Sequence, residues 1–470
     1  MKKVCLLACL LIIFLPFIQA QPVTEKLRTA VMRLEGDSQL RHGLLSIYVA
    51  DAKTGALVFD KNGQIGMAPA STQKIITSVT SFELLGNRFQ FKTLLGHDGE
   101  IKAGKLAGNL YITGQGDPTL GSWRWTSTTE EAVLERITTI LKDNSIREID
   151  GDIVIDDLSY TLQPVPDGWI WQDIGNYYGA GCWGLNWREN QYDLILQSTK
   201  NVGDSTRIVQ TVPAMEDLKI ANYITAGKKN SGDNGYIYAP PFATAGFTTG
   251  TIPVDEKAFR ISGSMPRPGV QFQKALEKKL GTANVAVSGS IKIPASISNK
   301  PTRMNLVPFD SISSPTLDSV NYWFMRKSIN RYGEALIKAI ALNETGERAS
   351  TDEGIETVRN FWAVRGIDKS AINIIDGSGL SPQNRVTAHS LVKILQYAKG
   401  RPWFNSFYLS LPVYNAMRLK SGSIGGARAF AGYHKSTAGR EYIVAIIVNN
   451  YDGSSAEIVK KMYKVLDVLK

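Results

Sequence analysis

The two ends of this chain of 470 residues share one pattern, and its middle has another. Residues 25–88 and 300–470 alternate amphipathic helical stretches with apolar strands, whereas residues 89–300 carry short strands, many glycines and few long helices. The simplest organisation is one α/β domain built from both ends, with the middle inserted into it. Fold class is therefore α/β, and the insertion is strand-rich.

Residues 25–36 have the spacing of an amphipathic helix, with Leu27, Val31, Met32 and Leu34 on its apolar side. Residues 43–63 read as two strands around a Lys53-Thr54-Gly55 turn. In the middle, 105–120 and 148–160 look like strand-and-turn units, and 227–250 reads as loops at an exposed edge. Six of the nine tryptophans fall between Trp123 and Trp187, which suits either a strand-rich core or a ligand groove. Helical spacing returns over 315–343, 352–365 and 387–398, and 429–451 reads as a hairpin turning near Gly439. The last helix carries Ile458, Val459, Met462, Val465, Leu466 and Leu469. Its apolar side is expected to pack on the hairpin sheet, the alternative being a membrane surface.

The N-terminus has a charged head at Lys2-Lys3, an apolar body from Val4 to Ile18, and Ala20 at a cut site. Residues 1–20 are expected to be a cleaved signal peptide, which makes the protein periplasmic; an uncleaved anchor is the alternative. Cys5 and Cys9 leave with that segment, so Cys182 alone cannot form an internal disulfide or a paired-cysteine metal site. No metal or cofactor is expected. Without Lys2 and Lys3 the formal charge of +10 becomes +8, which suits anionic surroundings such as cell-wall polymer or lipid headgroups. No basic-aromatic stripe points to nucleic acid.

Within the first arm of the split domain lies PASTQK, residues 69–74. Ser71 precedes Lys74 by three positions, just as an apolar run begins (Ile75, Ile76, Val79, Phe82). Residues three apart share a helix face, so the amine can reach the hydroxyl at a helix N-terminus, the layout of a nucleophile and its base. A lysine acting as a base at neutral pH needs burial and a second cation to lower its pKa. Spacing alone is weak evidence, because Ser390 and Lys393 repeat it in an ordinary exposed stretch of helix.

A Ser-Lys acyl-transfer site also needs a polar pair to hold the lysine and a strand carrying a cation and a hydroxyl. Two Ser-x-Asn pairs are available, Ser319/Asn321 and Ser328/Asn330. Of two Lys-[Ser/Thr]-Gly triplets, Lys53-Thr54-Gly55 sits in a hairpin turn, so Lys420-Ser421-Gly422 before the terminal hairpin is the better choice. Gly422 is expected to let a substrate backbone approach the strand.

PASTQK, residues 314–340, DGSGLSPQNRVTA (376–388) and KSGSIGGARAFAGY (420–433), in that order, resemble the class C low-molecular-mass penicillin-binding proteins, D-alanyl-D-alanine carboxypeptidase/endopeptidases. The stretches NLYITGQGDPTL and YYGAGCWGLNWREN look like that family's inserted region, so the resemblance covers nearly the whole mature chain. It implies a penicillin-binding/β-lactamase-like domain at 25–88 and 300–470, with two nested inserted domains at 89–160 with 263–299 and at 161–262.

The resemblance selects Ser328 and Asn330, ahead of Glu334-Ala335-Leu336. It implies Ser71 as nucleophile, Lys74 as base, and Lys420 as the second cation, with Ser328 and Asn330 holding Lys74 and relaying its proton. The Ser71 and Ser423 amides would form an oxyanion hole, and the Ser421 and Ser423 hydroxyls would bind the substrate carboxylate. Asp167, with Trp169, is the candidate for meeting a diamino-acid side chain. Substrates would be peptidoglycan stem peptides, with β-lactams as covalent inhibitors; a weakly catalytic wall-binding scaffold and a β-lactamase are the alternatives. Two departures from the family pattern stand out: Ser421 replaces a commoner threonine, and the 381–384 loop lacks an arginine found in some members.

Overall fold

A computed structural model describes residues 22–294, 306–346 and 348–470. The expected signal segment, with Cys5 and Cys9, lies outside the described residues.

Apolar residues in unbroken runs demand burial on both faces of a sheet. Tyr442 to Val448 is such a run, and its strand Glu441–Asn449 lies inside a six-stranded antiparallel sheet. The sheet order is Leu57–Lys61, Leu44–Asp51, Glu441–Asn449, Ala427–Lys435, Met417–Ile424, Val413–Tyr414. Its N-terminal strand Leu44–Asp51 thus pairs directly with the C-terminal hairpin, Leu44 opposite Asn449 and Asp51 opposite Tyr442, while Leu57–Lys61 pairs with its other edge.

Side chains alternate between the two faces. Tyr442, Val444, Ile446 and Val448 join Leu45, Ile47 and Val49 in a core covered by helices Val23–Glu35 and Ser455–Leu466. Ile443, Ala445 and Ile447 face the opposite core, filled by helices Lys74–Leu84, Asn330–Thr345, Thr351–Ala363 and Ala388–Lys399. The last helix buries Ile458, Met462, Val465 and Leu466 against the sheet, so its apolar side is already occupied. Ser390 is buried rather than exposed; its hydroxyl donates to the Thr387 carbonyl at 2.8 Å and has no part in a site.

The middle of the chain departs from expectation in two places. Glu130–Asp143 and Pro268–Thr282 are full-length helices, the first capped by Thr129 with Glu130 and Glu131 in its first turn. Leu134, Ile137, Phe272 and Leu276 share one core with the strands beside them. Residues 227–250 are half strand rather than loops throughout: Asn234–Tyr238 pairs antiparallel with Ala245–Pro253, burying Ile237, Thr248 and Ile252 beneath a polar and aromatic outer face. Trp187 is core, its ring 5.0 Å from Phe272, whereas Trp123 and Trp171 stay half exposed.

Strand Val307–Ser313 pairs with Lys92–His97 in a five-stranded sheet, which carries the first inserted unit past residue 300. Strands Gln191–Gln197, Arg207–Val212 and Phe259–Ser264 form a separate three-stranded sheet over its own core. On this pairing we propose inserted units at 89–160 with 265–294 and 306–313, and at 161–264.

Candidate active site

Pro69 and Ala70 lead into a 3-10 turn, Ala70–Gln73, that runs straight into helix Lys74–Leu84. Ala70 has a φ of +45°, a strained setting that lifts Ser71 to the surface of the turn. One turn later Lys74 is fully buried. Its Nζ donates to Ser71 Oγ at 3.0 Å, to Asn330 Oδ1 at 2.7 Å and to the Ser378 carbonyl at 2.7 Å.

Helix Leu317–Arg326 ends just before Ser328, whose φ of +57° turns the chain sharply into helix Asn330–Thr345. That reversal separates the work of two neighbouring side chains. Asn330 faces Lys74, while Ser328 Oγ accepts from Lys420 Nζ at 3.0 Å. Lys420, also buried, comes from strand Met417–Ile424 and donates in addition to the Ser421 carbonyl at 2.9 Å. The five side chains thus form two hydrogen-bonded groups, Ser71–Lys74–Asn330 and Ser328–Lys420, within electrostatic reach of each other. Ser319 and Asn321 join neither: they sit in the preceding helix and bond Trp125 and Ser78.

Burial depresses the Lys74 pKa to about 7, against the opposing pull of the Asp376 and Glu334 charges. Lys420 is also pushed well down, first by burial and then by the Lys74 charge. Of the two causes the sequence-based reading asked for, burial is the larger at Lys74, and Lys420 stands close enough for the two amines to repel each other. Glu334, fully buried behind Lys74, is pushed up to about 8 by burial and by Asp376.

The loop after residue 375 is part of the site. The Asp376 carboxylate accepts from the Gly379, Ser381, Asn384, Gln73 and Trp169 donors at 2.7–3.0 Å. This knot fixes Ser378, whose carbonyl holds Lys74. Sequence reasoning had the segment but no role for Asp376 or Glu334; a carboxylate amid Gly, Ser and Asn donors was the available signal.

A cleft of about 630 Å³ opens over Ser71. Its lining includes Ser328, Asn330, Ser423 and Arg428 with Asp173, Tyr178 and Tyr236, and Asn330 Nδ2 donates to the Tyr178 carbonyl at 2.8 Å. Ser421 is half-buried, and Ser423 is the hydroxyl of this strand on the cleft wall. Gly422 differs from expectation: a β-carbon there would stand 2.5 Å from the Pro69 carbonyl oxygen, so it accommodates the Ser71 turn rather than a substrate.

Asp167 is not in the cleft. It is exposed and accepts from Gln163 at 2.8 Å, because the chain turns at Gly168 and sends Trp169 inward to Asp376. The carboxylate on the wall is Asp173, six residues on, half-buried and with its pKa raised by that burial. Among the described residues no histidine lines this cleft, and no cluster of acidic, histidine or cysteine side chains is placed to hold a metal.

Comparisons with known proteins agree with this geometry. Residues 27–469 match the model of the D-Ala-D-Ala carboxypeptidase 3 (S13) family. The chain is 25% identical over 420 residues to D-alanyl-D-alanine carboxypeptidase DacB of Haemophilus influenzae, covering 85% of this chain and 84% of that one. It is also 25% identical over 463 residues to a D-alanyl-D-alanine carboxypeptidase of an Actinomadura species, covering 91% and 82%. Its fold is similar to the crystal structure of penicillin binding protein 4 from H. influenzae, with a TM-score of 0.77 at 22% identity over 93% and 98% of the two chains. The same protein complexed with a β-lactam matches with a TM-score of 0.75 at 21% identity over 94% and 99%. With a penicillin-binding domain that carries inserted units and a match spanning nearly all of its length, the chain belongs to the D-Ala-D-Ala carboxypeptidase 3 (S13) family, among the class C low-molecular-mass penicillin-binding proteins.

Proposed function

We propose that this peptidase-family member is a periplasmic serine DD-peptidase that cleaves D-alanyl-D-alanine termini or D-alanyl cross-links of peptidoglycan through an acyl-enzyme on Ser71. The observation that carries the reading is the contact of 3.0 Å between Ser71 Oγ and a buried amine whose pKa has fallen to about 7. A neutral Lys74 accepts the Ser71 proton as Oγ attacks the substrate carbonyl. The tetrahedral oxyanion lies by the Ser71 and Ser423 amides, a contribution of roughly 3 to 4 kcal/mol per donor in comparable sites. Ser328 carries the proton on to the departing amine, the C–N bond breaks, and water later releases the acyl group. A β-lactam carbonyl would be attacked in the same way, with its leaving amine still tethered.

Lys420 and the Ser423 hydroxyl suit the terminal carboxylate of D-alanine. Among the described residues no strand pairs with the outer side of this strand from Lys420 onward, which suits pairing with an extended substrate. Asp173 replaces Asp167 as the group for a cationic side chain of the stem peptide. Against a β-lactamase reading, Asp173 is the one carboxylate on the cleft wall among the described residues, and no glutamate lines the cleft there. Incubation with defined muropeptides, products weighed by mass spectrometry, tests the proposal: release of D-alanine or of uncross-linked stems is expected. Retained cleavage in Ser71→Ala would overturn it.

A further inference from the structure

The strand pair Asn234–Tyr238 and Ala245–Pro253 carries rings for which the proposed reaction has no use. Side chains alternate across a strand. Ile237, Thr248 and Ile252 are buried on one face, so Tyr236, Tyr238, Phe247 and Thr249 occupy the other, with Tyr238 opposite Phe247 and Tyr236 opposite Thr249. The Tyr238 and Phe247 rings stack, their centroids 4.7 Å apart and their planes within 11°. Trp171, from the short helix Trp171–Ile174, extends the row with its centroid 5.6 Å from Tyr238. Trp171 keeps 50% of its surface in water and Phe247 36%. Contiguous exposed rings on a protein surface mark a place of contact.

The row begins at the cleft wall. Tyr236, on the same strand face, lines the cleft over Ser71, as do Ile170 and Gln172 on either side of Trp171. Neither strand contains a charged residue, and the hydroxyls of Tyr236, Tyr238 and Thr249 share the face with the rings. A pyranose has the complementary chemistry: an apolar C–H face to lie on a ring, and hydroxyl or acetamido groups at its edge for polar neighbours.

We propose that Trp171, Tyr238 and Phe247 form a subsite for neutral N-acetylated pyranoses, the sugar strand from which a stem peptide hangs. The proposal rests on the peptidoglycan reading above, and it makes glycan-borne peptides better substrates than free ones. The three rings are outside the residues that line the cleft, so their loss leaves the chemistry at Ser71 intact.

The test compares kcat/KM for one stem peptide, free and linked to its disaccharide, in the wild type and in Trp171→Ala and Phe247→Ala. Each variant is expected to lose about tenfold on the linked substrate and less than about twofold on the free peptide, a tenfold change being about 1.4 kcal/mol. Calorimetric titration with glycan chains stripped of their peptides should give binding that Phe247→Ala weakens. Equal cleavage of the linked substrate by wild type and both variants would overturn the proposal. So would an equal loss on both substrates, or no binding of stripped glycan by the wild type. A wild type that binds stripped glycan yet is neither acylated by penicillin nor active on the free peptide would retain the sugar subsite and refute the peptidase reading.

Discussion

Gly422 and Ser71 are in backbone contact: a β-carbon on Gly422 would stand 3.1 Å from the Ser71 amide nitrogen and 2.5 Å from the Pro69 carbonyl oxygen. The strand that carries Lys420 is therefore the bed on which the nucleophile's turn rests. Gly422→Ala is expected to displace that turn, slowing acylation by a fluorescent penicillin about a hundredfold, because small misplacements of reacting groups are costly. Overpacking should remove about 1–3 kcal/mol of stability. Stopped-flow fluorescence and a denaturant melt give the two numbers.

Ser71→Ala removes the attacking oxygen and Lys74→Ala removes its base. Both variants should fold, retain circular dichroism, and show no penicillin-labelled band on a gel. A labelled band in Ser71→Ala would mean that another residue is the nucleophile.

Acylation should rise with pH through about 7, as the buried Lys74 loses its proton. Glu334 lies within electrostatic reach of Lys74, Asp376, Lys338 and Cys182, and with its pKa pushed up to about 8 it is mostly uncharged while Lys74 titrates near 7. Glu334→Gln is therefore expected to leave the acid limb near 7. A rate profile from pH 5 to 9 in both proteins checks this; a displacement of the limb by a full pH unit would contradict the electrostatic assignment.

Asp376→Asn exchanges one acceptor oxygen for a donor inside a ring of five donors. Leaving buried groups unpaired costs about 1–3 kcal/mol each. The variant should melt several degrees lower and acylate slowly, because the Ser378 carbonyl loses its anchor. Chemical denaturation followed by tryptophan fluorescence separates the two effects.

Asp173→Asn should raise KM for stem peptides bearing a free side-chain amine, with little change for peptides whose amine is acetylated. Asp167→Asn should resemble wild type on both, its carboxylate being exposed and bonded to Gln163. Steady-state kinetics on the paired substrates distinguishes the two carboxylates.

The split domain and the Ser71–Lys74 pair were legible in the sequence from local rules, whereas the choice of Ser328 and Asn330 over Ser319 and Asn321 came from the family resemblance. The Ser71-to-Lys74 spacing is a helix periodicity, and the Tyr442–Val448 run is the signature of a strand covered on both sides. The Asp167 assignment failed for a reason of another kind: Gly168 reverses the chain, and no local pattern says which of two nearby acidic residues then faces the cleft. The depression of Lys74 was expected from burial together with a second cation; burial is the larger cause, and its extent is a property of the assembled fold that no local pattern measures. The helix at 130–143 had a threonine cap and two leading glutamates, and the glycine-rich segments around it masked these signals.

The pairing of Leu44–Asp51 with Glu441–Asn449 also sets an order of events. A chain made from its N-terminus can pair its first two strands with each other, but the inner edge of Leu44–Asp51 waits through some 380 later residues for its partner, and the second amine of the site belongs to that late portion. The inserted units can mature early on sheets of their own, but assembly of the site waits for the closing hairpin. A half-made copy thus lacks a finished site, and loss of the final hairpin would dismantle it without removing any of the five side chains that compose it.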